Sequence, residues 1–348
     1  MIYHTIRYMR YPEKLNKKDY IGVTAISDGA NKKIDFLRMD NAIRNLNSLG
    51  YNVVETENAR KSVNGRSSSK EERIAEFMKL WNDDKVKSIL FTTGGDFAFE
   101  ILEDLDFEKL SKTNPKWIAG YSDISNLGFV LTTNCDIATI YGPNYKSFGM
   151  NDLHESLLNE LRLMNGEEIE QMSFEKCESV EDFVETTDPY EGYNLTQEVK
   201  WKTLNGDDKI EFSGRTIGGN FDVIMNLMGT KFDKVSEFIN KYKDDGIVWF
   251  LETFEASTPQ IEINLWKMKN AGYFENCKGI IFGRPLFIRN DYGLTYMDAI
   301  KEVLGNLNIP IICDADIGHL APQMPIINGS ILEVKYENGK GKIKNILK

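Results

Sequence analysis

The feature of this chain that most constrains its fold is the alternation, in the first half, of short apolar runs with longer segments of helical spacing. Four runs of strand length end in small or polar residues, at 20–27, 50–56, 86–95 and 116–123. Between residues 70 and 81, apolar side chains recur at i, i+3, i+4 and i+7, as on one face of a helix. The pattern predicts a parallel sheet covered by helices, whose ligands bind beyond the carboxyl ends of the strands.

A second region of alternating elements follows an acidic, turn-rich segment at residues 177–214, which we interpret as a linker. A helix is predicted to begin at Gly218 and to end at Met228. The tail alternates apolar and polar residues around Asn338-Gly339, a dipeptide typical of a two-residue hairpin turn. The other elements predicted in this half are strands at 246–252, 278–285 and 309–316 and helices at 259–271 and 296–304.

The composition excludes several classes of protein. The chain has 53 acidic and 42 basic residues, a net charge of −11 that would repel a polynucleotide. The four cysteines are far apart and form no CxxC pair, so they predict neither a zinc site nor a disulfide framework. No apolar run reaches the ~18 residues of a membrane span, and the N-terminus lacks the apolar core of a secretory signal. We therefore expect a cytoplasmic protein that binds neither membrane nor polynucleotide.

Ser122 is the candidate nucleophile, because it lies in the segment GYSDIS between a predicted strand and a predicted helix. A serine at such a turn can attack a substrate or simply cap the helix, and the residue alone does not decide between the two. The nucleophile elbow of the α/β-hydrolases, GxSxG, requires glycine where this chain has Ile124. The pattern therefore disfavours an ordinary α/β-hydrolase.

The chain has three histidines, so few side chains could serve as the general base for that serine. His4 lies close to the N-terminus, and His154 lies in a polar helical stretch that is typical of a solvated surface histidine. His319 follows a predicted buried strand, and two prolines stiffen the loop after it. We therefore predict that His319 is the base.

A base histidine works best when a carboxylate fixes its tautomer and stabilises the imidazolium. Glu252 directly follows an apolar run at the end of a predicted strand, and Glu255 comes one helical turn later. A carboxylate that closes so apolar a strand is costly to bury without a partner, which favours Glu252 over Glu255. The alternative is that Glu252 caps a helix or forms an ordinary ion pair.

The segment TTGGD, residues 92–96, ends the third predicted strand. Adjacent glycines let the backbone pass close to a ligand and can direct N–H groups at a developing oxyanion, but they also occur in ordinary tight turns. Asp96, like Asp123 after the serine, could equally be a helix N-cap. On its own this segment does not identify an active site.

Seven segments, taken together, resemble the serine peptidase family that contains bacterial LD-carboxypeptidases and the microcin C immunity protein MccF. Each segment is a weak signal alone, and their shared order carries the resemblance. The similarity covers most of the chain, from about residue 14 to residue 330. The segments are TTGGD, GYSDIS, YGPNYKSFG, GRTIGGNFDVIMNLMGT, WFLETFEAS, IFGRP and DIGHLAPQMPI.

The resemblance implies an α/β protein of two domains, with a flavodoxin-like or Rossmann-like parallel sheet at the N-terminus and a swivelling β/β/α-type domain at the C-terminus. It implies a triad of Ser122, Glu252 and His319. Backbone N–H groups of Asp123 and Gly95 would form the oxyanion hole. It also implies no metal or other cofactor, and a homodimer. We expect the N-terminal domain at residues 1–165, a linker or inserted loop at 166–214 and the C-terminal domain at 215–348.

The predicted function is that of a serine carboxypeptidase or amidohydrolase that cleaves an amide bond of a small peptide-like substrate. The segment from 177 to 214 is long for a connector, and the stretch from 199 to 220 resembles the corresponding stretch of MccF-like members, which favours hydrolysis of a peptidyl- or aminoacyl-nucleotide. Two alternatives stay open. One is an LD-carboxypeptidase that acts on murein tetrapeptides, and the other is a non-catalytic two-domain protein that binds small molecules.

Four residues are expected to bind the substrate: Gly94, Asp96, Trp201 and Asn220. An aromatic ring can stack on a nucleotide base, which makes Trp201, Tyr190 and Tyr193 candidates within the long segment. The alternative for Trp201 is a core position, because Val199, Trp201 and Thr203 would share one face of a strand.

Overall fold

The computed structural model describes residues 8–181 and 187–348, so His4 lies outside the described residues. In the described residues the chain forms sixteen strands. They are β1 (Tyr20–Thr24), β2 (Asn52–Glu55), β3 (Val86–Phe91), β4 (Trp117–Ala119), β5 (Thr139–Tyr141), β6 (Glu170–Met172), β7 (Lys176–Cys177), β8 (Gln197–Glu198), β9 (Lys202–Thr203), β10 (Lys209–Asn220), β11 (Ile247–Glu252), β12 (Cys277–Gly283), β13 (Ile311–Ala315), β14 (Ile326–Asn328), β15 (Ile331–Glu337) and β16 (Lys340–Ile346).

Ten α-helices accompany the strands in the same part of the chain. They are α1 (Lys33–Ser48), α2 (Lys70–Asn82), α3 (Phe99–Leu102), α4 (Phe107–Leu110), α5 (Ser125–Cys135), α6 (Glu155–Met164), α7 (Phe221–Ile224), α8 (Val235–Lys241), α9 (Thr258–Asn270) and α10 (Tyr296–Leu304).

The first sheet has six strands in the order β14-β5-β4-β3-β1-β2. Strands β1 to β5 are parallel, and β14 closes one edge antiparallel to β5. Read from the other edge, the parallel strands follow the order 2-1-3-4-5 of flavodoxin-like sheets, whose ligands bind at the carboxyl ends of the strands. TTGGD follows β3 and GYSDIS follows β4, so both segments lie at that edge.

The second sheet has eight strands in the order β6-β16-β15-β10-β11-β12-β13-β9. Its central strands, β10 to β13, are parallel, and the strands on either side are antiparallel. Asn220 and Glu252 are the last residues of β10 and β11, and His319 follows β13. The prediction of a mixed α/β fold with a parallel N-terminal sheet is therefore confirmed.

Strand β11 shows how the second sheet is packed on both faces. Every residue of this strand is buried, so other parts of the protein cover both of its faces. Trp249 and Leu251 belong to one hydrophobic cluster, and Val248 and Phe250 belong to the other. Since side chains alternate along a strand, Glu252 continues the face of Val248 and Phe250.

Most of the predicted elements are confirmed, with ends that shift by a few residues. The helix predicted at 296–304 is α10, and Asn338 and Gly339 connect β15 to β16 with φ of 49° and 87°. Positive φ at both turn residues is the geometry that an Asn-Gly hairpin needs.

The helix predicted to begin at Gly218 is wrong in its first residues, because β10 continues to Asn220. A Cβ on Gly218 would lie 2.9 Å from a ring carbon of Phe250 on the paired strand. The glycine therefore permits close pairing of two strands and does not begin a helix. Helix α7 starts only at Phe221 and is one turn long.

Both large sheets include strands from outside the predicted bounds of their domains, and β7 and β8 form a separate two-stranded sheet. Strand β14, from the C-terminal part, pairs in the first sheet, whereas β6 and β9, from the predicted linker, pair in the second. The domain bounds expected at 1–165, 166–214 and 215–348 stay a prediction.

Candidate active site

Ser122 stands at the turn between β4 and α5 in a backbone conformation that few serines adopt. Its φ is 64°, in the left-handed region, while Tyr121 before it is extended. Such strain costs about 1–3 kcal/mol, persists only where the surroundings over-determine it, and clusters at active sites. The side chain is half-buried and lines a cleft of about 740 Å³.

The TTGGD loop passes directly beside Ser122. A Cβ on Gly94 would lie 3.0 Å from Ser122 Oγ, so glycine lets the backbone come this close. Gly95 has a φ of +137°, and its backbone N–H has no hydrogen-bond acceptor among the described residues. The backbone N–H of Asp123 likewise has no hydrogen-bond acceptor within residues 8–181 and 187–348. Two unengaged N–H groups beside a serine hydroxyl are what an oxyanion hole requires.

Glu252 is a fully buried carboxylate with a hydrogen-bond partner on each oxygen. Its Oε1 accepts hydrogen bonds from the Tyr141 hydroxyl and, at 2.9 Å, from Asn220 Nδ2. Its Oε2 lies 2.9 Å from His319 Nδ1. Tyr141 reaches this carboxylate because it packs on Phe250, on the same face of β11 as Glu252.

The surroundings of Glu252 favour its ionised form. Burial alone would raise the pKa of Glu252, but the charge on His319 and hydrogen bonds from His319, Tyr141 and Asn220 lower that pKa below its ordinary value. Glu252 is therefore a carboxylate at neutral pH, as a group that stabilises an imidazolium must be.

His319 is held in place by its neighbours. Its ring centroid lies 4.8 Å from that of Tyr121 and 4.5 Å from that of Phe254. Gly318 before it has a φ of +107°, and a Cβ there would lie 2.7 Å from Glu252 Oε2. Because Nδ1 is engaged by Glu252, Nε2 is the nitrogen left for proton exchange in the cleft, which His319 lines together with Ser122.

The structure brings Ser122, Glu252 and His319 together from three distant segments of the chain. Among the described residues, no hydrogen bond joins Ser122 Oγ to His319. Catalytic hydrogen bonds are often long before substrate binds and tighten in the complex. Glu255 also lines the cleft, but it is exposed, whereas Glu252 contacts the histidine.

The carboxylate of Asp123 does not cap a helix. It is buried, and its Oδ2 accepts hydrogen bonds from Ser27 Oγ at 2.5 Å and from Ala98 N at 2.7 Å. Its Oδ1 accepts a hydrogen bond from Asn126 Nδ2 at 2.7 Å. Burial raises the pKa of Asp123, and these hydrogen bonds oppose that effect only in part.

Three of the four predicted substrate-binding residues line the cleft, namely Gly94, Asp96 and Asn220. Asp96 is exposed there. Asn220 is buried, and its Oδ1 accepts a hydrogen bond from Val223 N at the start of α7 while its Nδ2 donates to Glu252. Both ends of its amide are therefore engaged, and the side chain orients Glu252.

Sequence reasoning missed three aromatic residues of the site, which are Tyr121, Tyr141 and Phe254. Tyr141 is the last residue of β5, and its position at the carboxyl edge of the first sheet is the sequence feature that could have identified it as a site residue. Burial raises the pKa of Tyr141 well above its ordinary value, and the charge of Glu252 adds to the effect. Tyr141 therefore stays protonated and donates its hydroxyl hydrogen to Glu252.

The fourth predicted residue, Trp201, does not lie in the cleft. Its side chain is fully buried, and its Nε1 donates a hydrogen bond to Asp316 Oδ2 at 2.8 Å. Val199 and Thr203 are buried as well, but the shared strand of the alternative interpretation is wrong, because β9 includes Thr203 and neither of the other two. A ring without exposed surface cannot stack on a base, so Trp201 is removed from the substrate-binding residues.

His154 is half-buried and is not a solvated surface histidine. Its Nδ1 accepts a hydrogen bond from Ser156 N at the start of α6, and its ring lies between those of Phe174 and Tyr193. Burial lowers the pKa of His154. Tyr193 and Tyr190 are also half-buried, and neither lines the cleft.

Residues 8–181 and 187–348 contain neither a candidate metal site nor a candidate membrane span. Within these residues, no group of three or more His, Cys, Asp and Glu side chains is arranged to hold a metal ion. No helix in the same ranges is both long and apolar enough to cross a membrane.

The two sheets, and the cleft that Ser122 and His319 line, form the arrangement expected of a hydrolase of the serine type. Sequence profiles of known families agree with this class along most of the chain. The profile of the LD-carboxypeptidase N-terminal domain matches residues 21–142, and that of the LD-carboxypeptidase C-terminal domain matches residues 213–334. The chain belongs to the LD-carboxypeptidase family and is a serine-type carboxypeptidase.

The similar proteins include both a probable murein peptide carboxypeptidase and MccF. A protein described as a probable murein peptide carboxypeptidase of Bacillus subtilis is 25% identical over 324 residues, covering 92% of this chain and 89% of its own length. The microcin C7 self-immunity protein MccF of Escherichia coli is 26% identical over 300 residues, 84% of each chain. A solved structure of MccF in complex with glutamyl sulfamoyl guanosine has a TM-score of 0.79 at 22% identity, covering 97% of this chain and 98% of that one.

Proposed function

We propose that Ser122 is the nucleophile of this carboxypeptidase, that His319 is its general base, and that Glu252 orients and stabilises that base. The observation that carries the proposal is the 2.9 Å contact between Glu252 Oε2 and His319 Nδ1, in a cleft that Ser122 also lines. An ionised carboxylate on one ring nitrogen leaves the other nitrogen free to exchange a proton with the serine.

In the proposed reaction, Ser122 Oγ attacks the carbonyl carbon of an amide while His319 Nε2 takes the hydroxyl proton. The carbonyl oxygen becomes an oxyanion, which the backbone N–H groups of Gly95 and Asp123 stabilise. The imidazolium then donates its proton to the leaving nitrogen, and an acyl-enzyme remains. His319 next takes a proton from water, whose oxygen attacks the ester carbonyl; the bond between the acyl carbon and Ser122 Oγ then breaks, the imidazolium returns the proton to Oγ, and the acid product leaves.

The substrate class that we propose is a peptidyl or aminoacyl group joined by an amide-like bond to a nucleotide-like moiety. The support for it is the bound glutamyl sulfamoyl guanosine of MccF, together with the long segment from 177 to 214. This segment lies against the loop that carries the proposed base, since Glu178 N donates a hydrogen bond to the carbonyl oxygen of Ala321. Among the described residues of this segment, Glu178 is therefore next to the proposed catalytic loop, whereas the side chains that line the cleft come from other parts of the chain.

A second candidate substrate is the murein tetrapeptide, whose terminal residue an LD-carboxypeptidase removes. The observation that favours it is the similarity to the Bacillus subtilis murein peptide carboxypeptidase, which extends over nine-tenths of this chain. Both candidates use the same proposed triad and differ in the leaving group. The homodimer implied by the resemblance and the cytoplasmic location also stay predictions.

Mass spectrometry of reaction products separates the two candidates. We would incubate the protein with a glutamyl sulfamoyl nucleoside and, separately, with an LD-configured murein tetrapeptide, and use Ser122→Ala as the matched control. The proposal expects cleavage of the nucleoside conjugate by the wild-type protein and none by the variant. Cleavage of the tetrapeptide alone would defeat the proposed substrate and leave the triad intact. Equal cleavage of either compound by the variant would defeat the triad.

A further inference from the structure

Two separate loops supply the N–H groups assigned to the oxyanion, and one buried pair of side chains ties these loops together. We propose that Ser27 and the carboxylate of Asp123 are positioning residues that fix the spacing between the N–H groups of Gly95 and Asp123. The inference rests on the proposed function, because that function assigns these two N–H groups to the oxyanion.

Ser27 is the hub of this connection. It lies just beyond the end of β1 and is fully buried. Its Oγ donates a hydrogen bond to Asp123 Oδ2 at 2.5 Å and accepts one from Phe97 N at 3.0 Å. A Cβ on Gly95 would lie 2.5 Å from the same Oγ, so the glycine backbone rests against the hydroxyl. One hydroxyl therefore contacts both loops.

The carboxylate of Asp123 makes the second connection between the loops. Its Oδ2 also accepts a hydrogen bond from Ala98 N at 2.7 Å, on the chain just after Gly95. The main chain also ties the segment of Ser27 to the TTGGD loop, because Asp28 N donates a hydrogen bond to the carbonyl oxygen of Gly94 at 3.2 Å. Hydrogen bonds to a buried carboxylate are stronger than neutral ones, so a shift of one donor relative to the other would break favourable contacts.

A purely structural role for the same contacts makes a different prediction. A structural contact changes stability and leaves the energy difference between bound substrate and transition state unchanged. A contact that positions oxyanion donors acts on the transition state, because the negative charge exists only there. Loss of positioning should therefore lower kcat and leave KM nearly unchanged.

The test compares Ser27→Ala with Ser330→Ala on whichever of the two substrates the wild-type protein cleaves. Ser330 is also a fully buried serine away from the cleft, and its single hydroxyl hydrogen faces two acceptors, Ile327 O at 2.9 Å and Asn345 Oδ1 at 3.1 Å from Oγ. Ser27→Ala should lower kcat by about 10–100-fold, with KM within about twofold of wild type. The affinity for a peptidyl boronic acid, which becomes tetrahedral on Ser122, should fall by the same factor as kcat. Ser330→Ala should keep the wild-type kcat and the wild-type affinity for the boronic acid.

Asp123→Asn gives an independent arm and carries the test if Ser27→Ala does not fold. It keeps the backbone N–H of residue 123 but weakens the hydrogen bonds of the side chain, so it should lower kcat and boronate affinity in parallel. The double variant should be little worse than either single one, because both changes break one connection. Folded variants that keep the wild-type kcat, whether or not their KM is raised, would overturn the inference. A wild-type protein that forms no boronate adduct would instead overturn the proposed function.

Discussion

At the scale of single residues, the buried carboxylate of Glu252 receives hydrogen bonds from Tyr141 and Asn220 and contacts His319. A glutamine would remove the charge and place an N–H₂ group against neighbours that are donors themselves. We expect Glu252→Gln to lower kcat by about 10²–10⁴-fold, which is less than the loss in Ser122→Ala. Steady-state kinetics with Glu255→Gln as the matched control measures this. A larger loss in Glu255→Gln than in Glu252→Gln would reverse the assignment of the acid.

Glu160, on α6, is a buried carboxyl outside the site. Its side chain is fully buried, and neither of its carboxyl oxygens has a hydrogen-bond partner among the described residues. Burial raises the pKa of Glu160 well above its ordinary value, so the folded protein holds a proton that the unfolded chain releases above about pH 4.3. The free energy of unfolding should therefore fall as pH rises from there to the folded pKa, by up to about 1.4 kcal/mol per pH unit.

Replacement of Glu160 by glutamine should remove this pH dependence. We expect Glu160→Gln to match wild type in stability near about pH 4 and to be more stable at about pH 8, because only the wild-type carboxyl resists ionisation. Urea unfolding of both proteins across this range is the measurement, with Glu155→Gln, an exposed position on the same helix, as the control. A stability difference that does not grow with pH would contradict the assignment of a neutral Glu160.

At the scale of elements, the hairpin of β15 and β16 is specified by its turn. Gly339 has a φ of +87°, and a Cβ there would lie 3.2 Å from Lys200 Cγ. We expect Gly339→Ala to lower the free energy of unfolding by about 1–2 kcal/mol, because a side chain is disfavoured in this region. Chemical denaturation measures the change. Gly192→Ala, where φ is not positive and no atom lies within 4 Å of the added Cβ, should stay within about 0.5 kcal/mol of wild type. An equal loss in both variants would contradict the role of the turn.

Elements whose pattern is local could be predicted from the sequence, and those decided by distant contacts could not. Helix α10 and the Asn338-Gly339 turn depend on neighbouring residues and are found where they were predicted. The local sequence predicts a helix at the end of β10, where the structure has a strand. The strand forms because Gly218 pairs with Phe250 of β11, a contact that no local pattern reveals.

The candidate site divides in the same way. Ser122, Glu252 and His319 could be selected because each reactive side chain stands at the end of a predicted strand. The residues that support them could not, because their contacts join distant parts of the chain. Tyr141 and Glu252 are 111 residues apart, and Ser27 and Asp123 are 96 apart.

At the scale of the whole molecule, the cleft depends on how the two sheets meet. Tyr141 of the first sheet donates a hydrogen bond to Glu252 of the second, and Ser125 Oγ, on α5, accepts one from Asn220 N at the end of β10. The proposed nucleophile, Ser122, and the proposed acid–base pair, Glu252 and His319, therefore come from opposite sides of one junction. Contacts across it should affect both turnover and stability.

Tyr141→Phe tests this coupling between the sheets. Loss of a hydrogen bond to a buried carboxylate should lower the free energy of unfolding by about 1–3 kcal/mol and lower kcat by about 10-fold. Tyr145→Phe is the matched control, since its hydroxyl donates to Glu55 at 3.0 Å within the first part of the chain. It should lose stability and keep kcat. Equal turnover in the two variants would show that the Tyr141 contact does not support the site.

Covalent labelling of Ser122 tests the central claim, that this residue is an activated nucleophile. The wild-type protein would be treated with a fluorophosphonate probe, which reacts with activated serines, and the adduct located by peptide mass spectrometry. The account predicts one adduct, on Ser122, which is absent in Ser122→Ala and strongly reduced in His319→Ala. Turnover should fall by about 10⁴-fold or more in both variants. A wild-type protein that cleaves substrate without labelling at Ser122, or a Ser122→Ala protein with wild-type turnover, would contradict it.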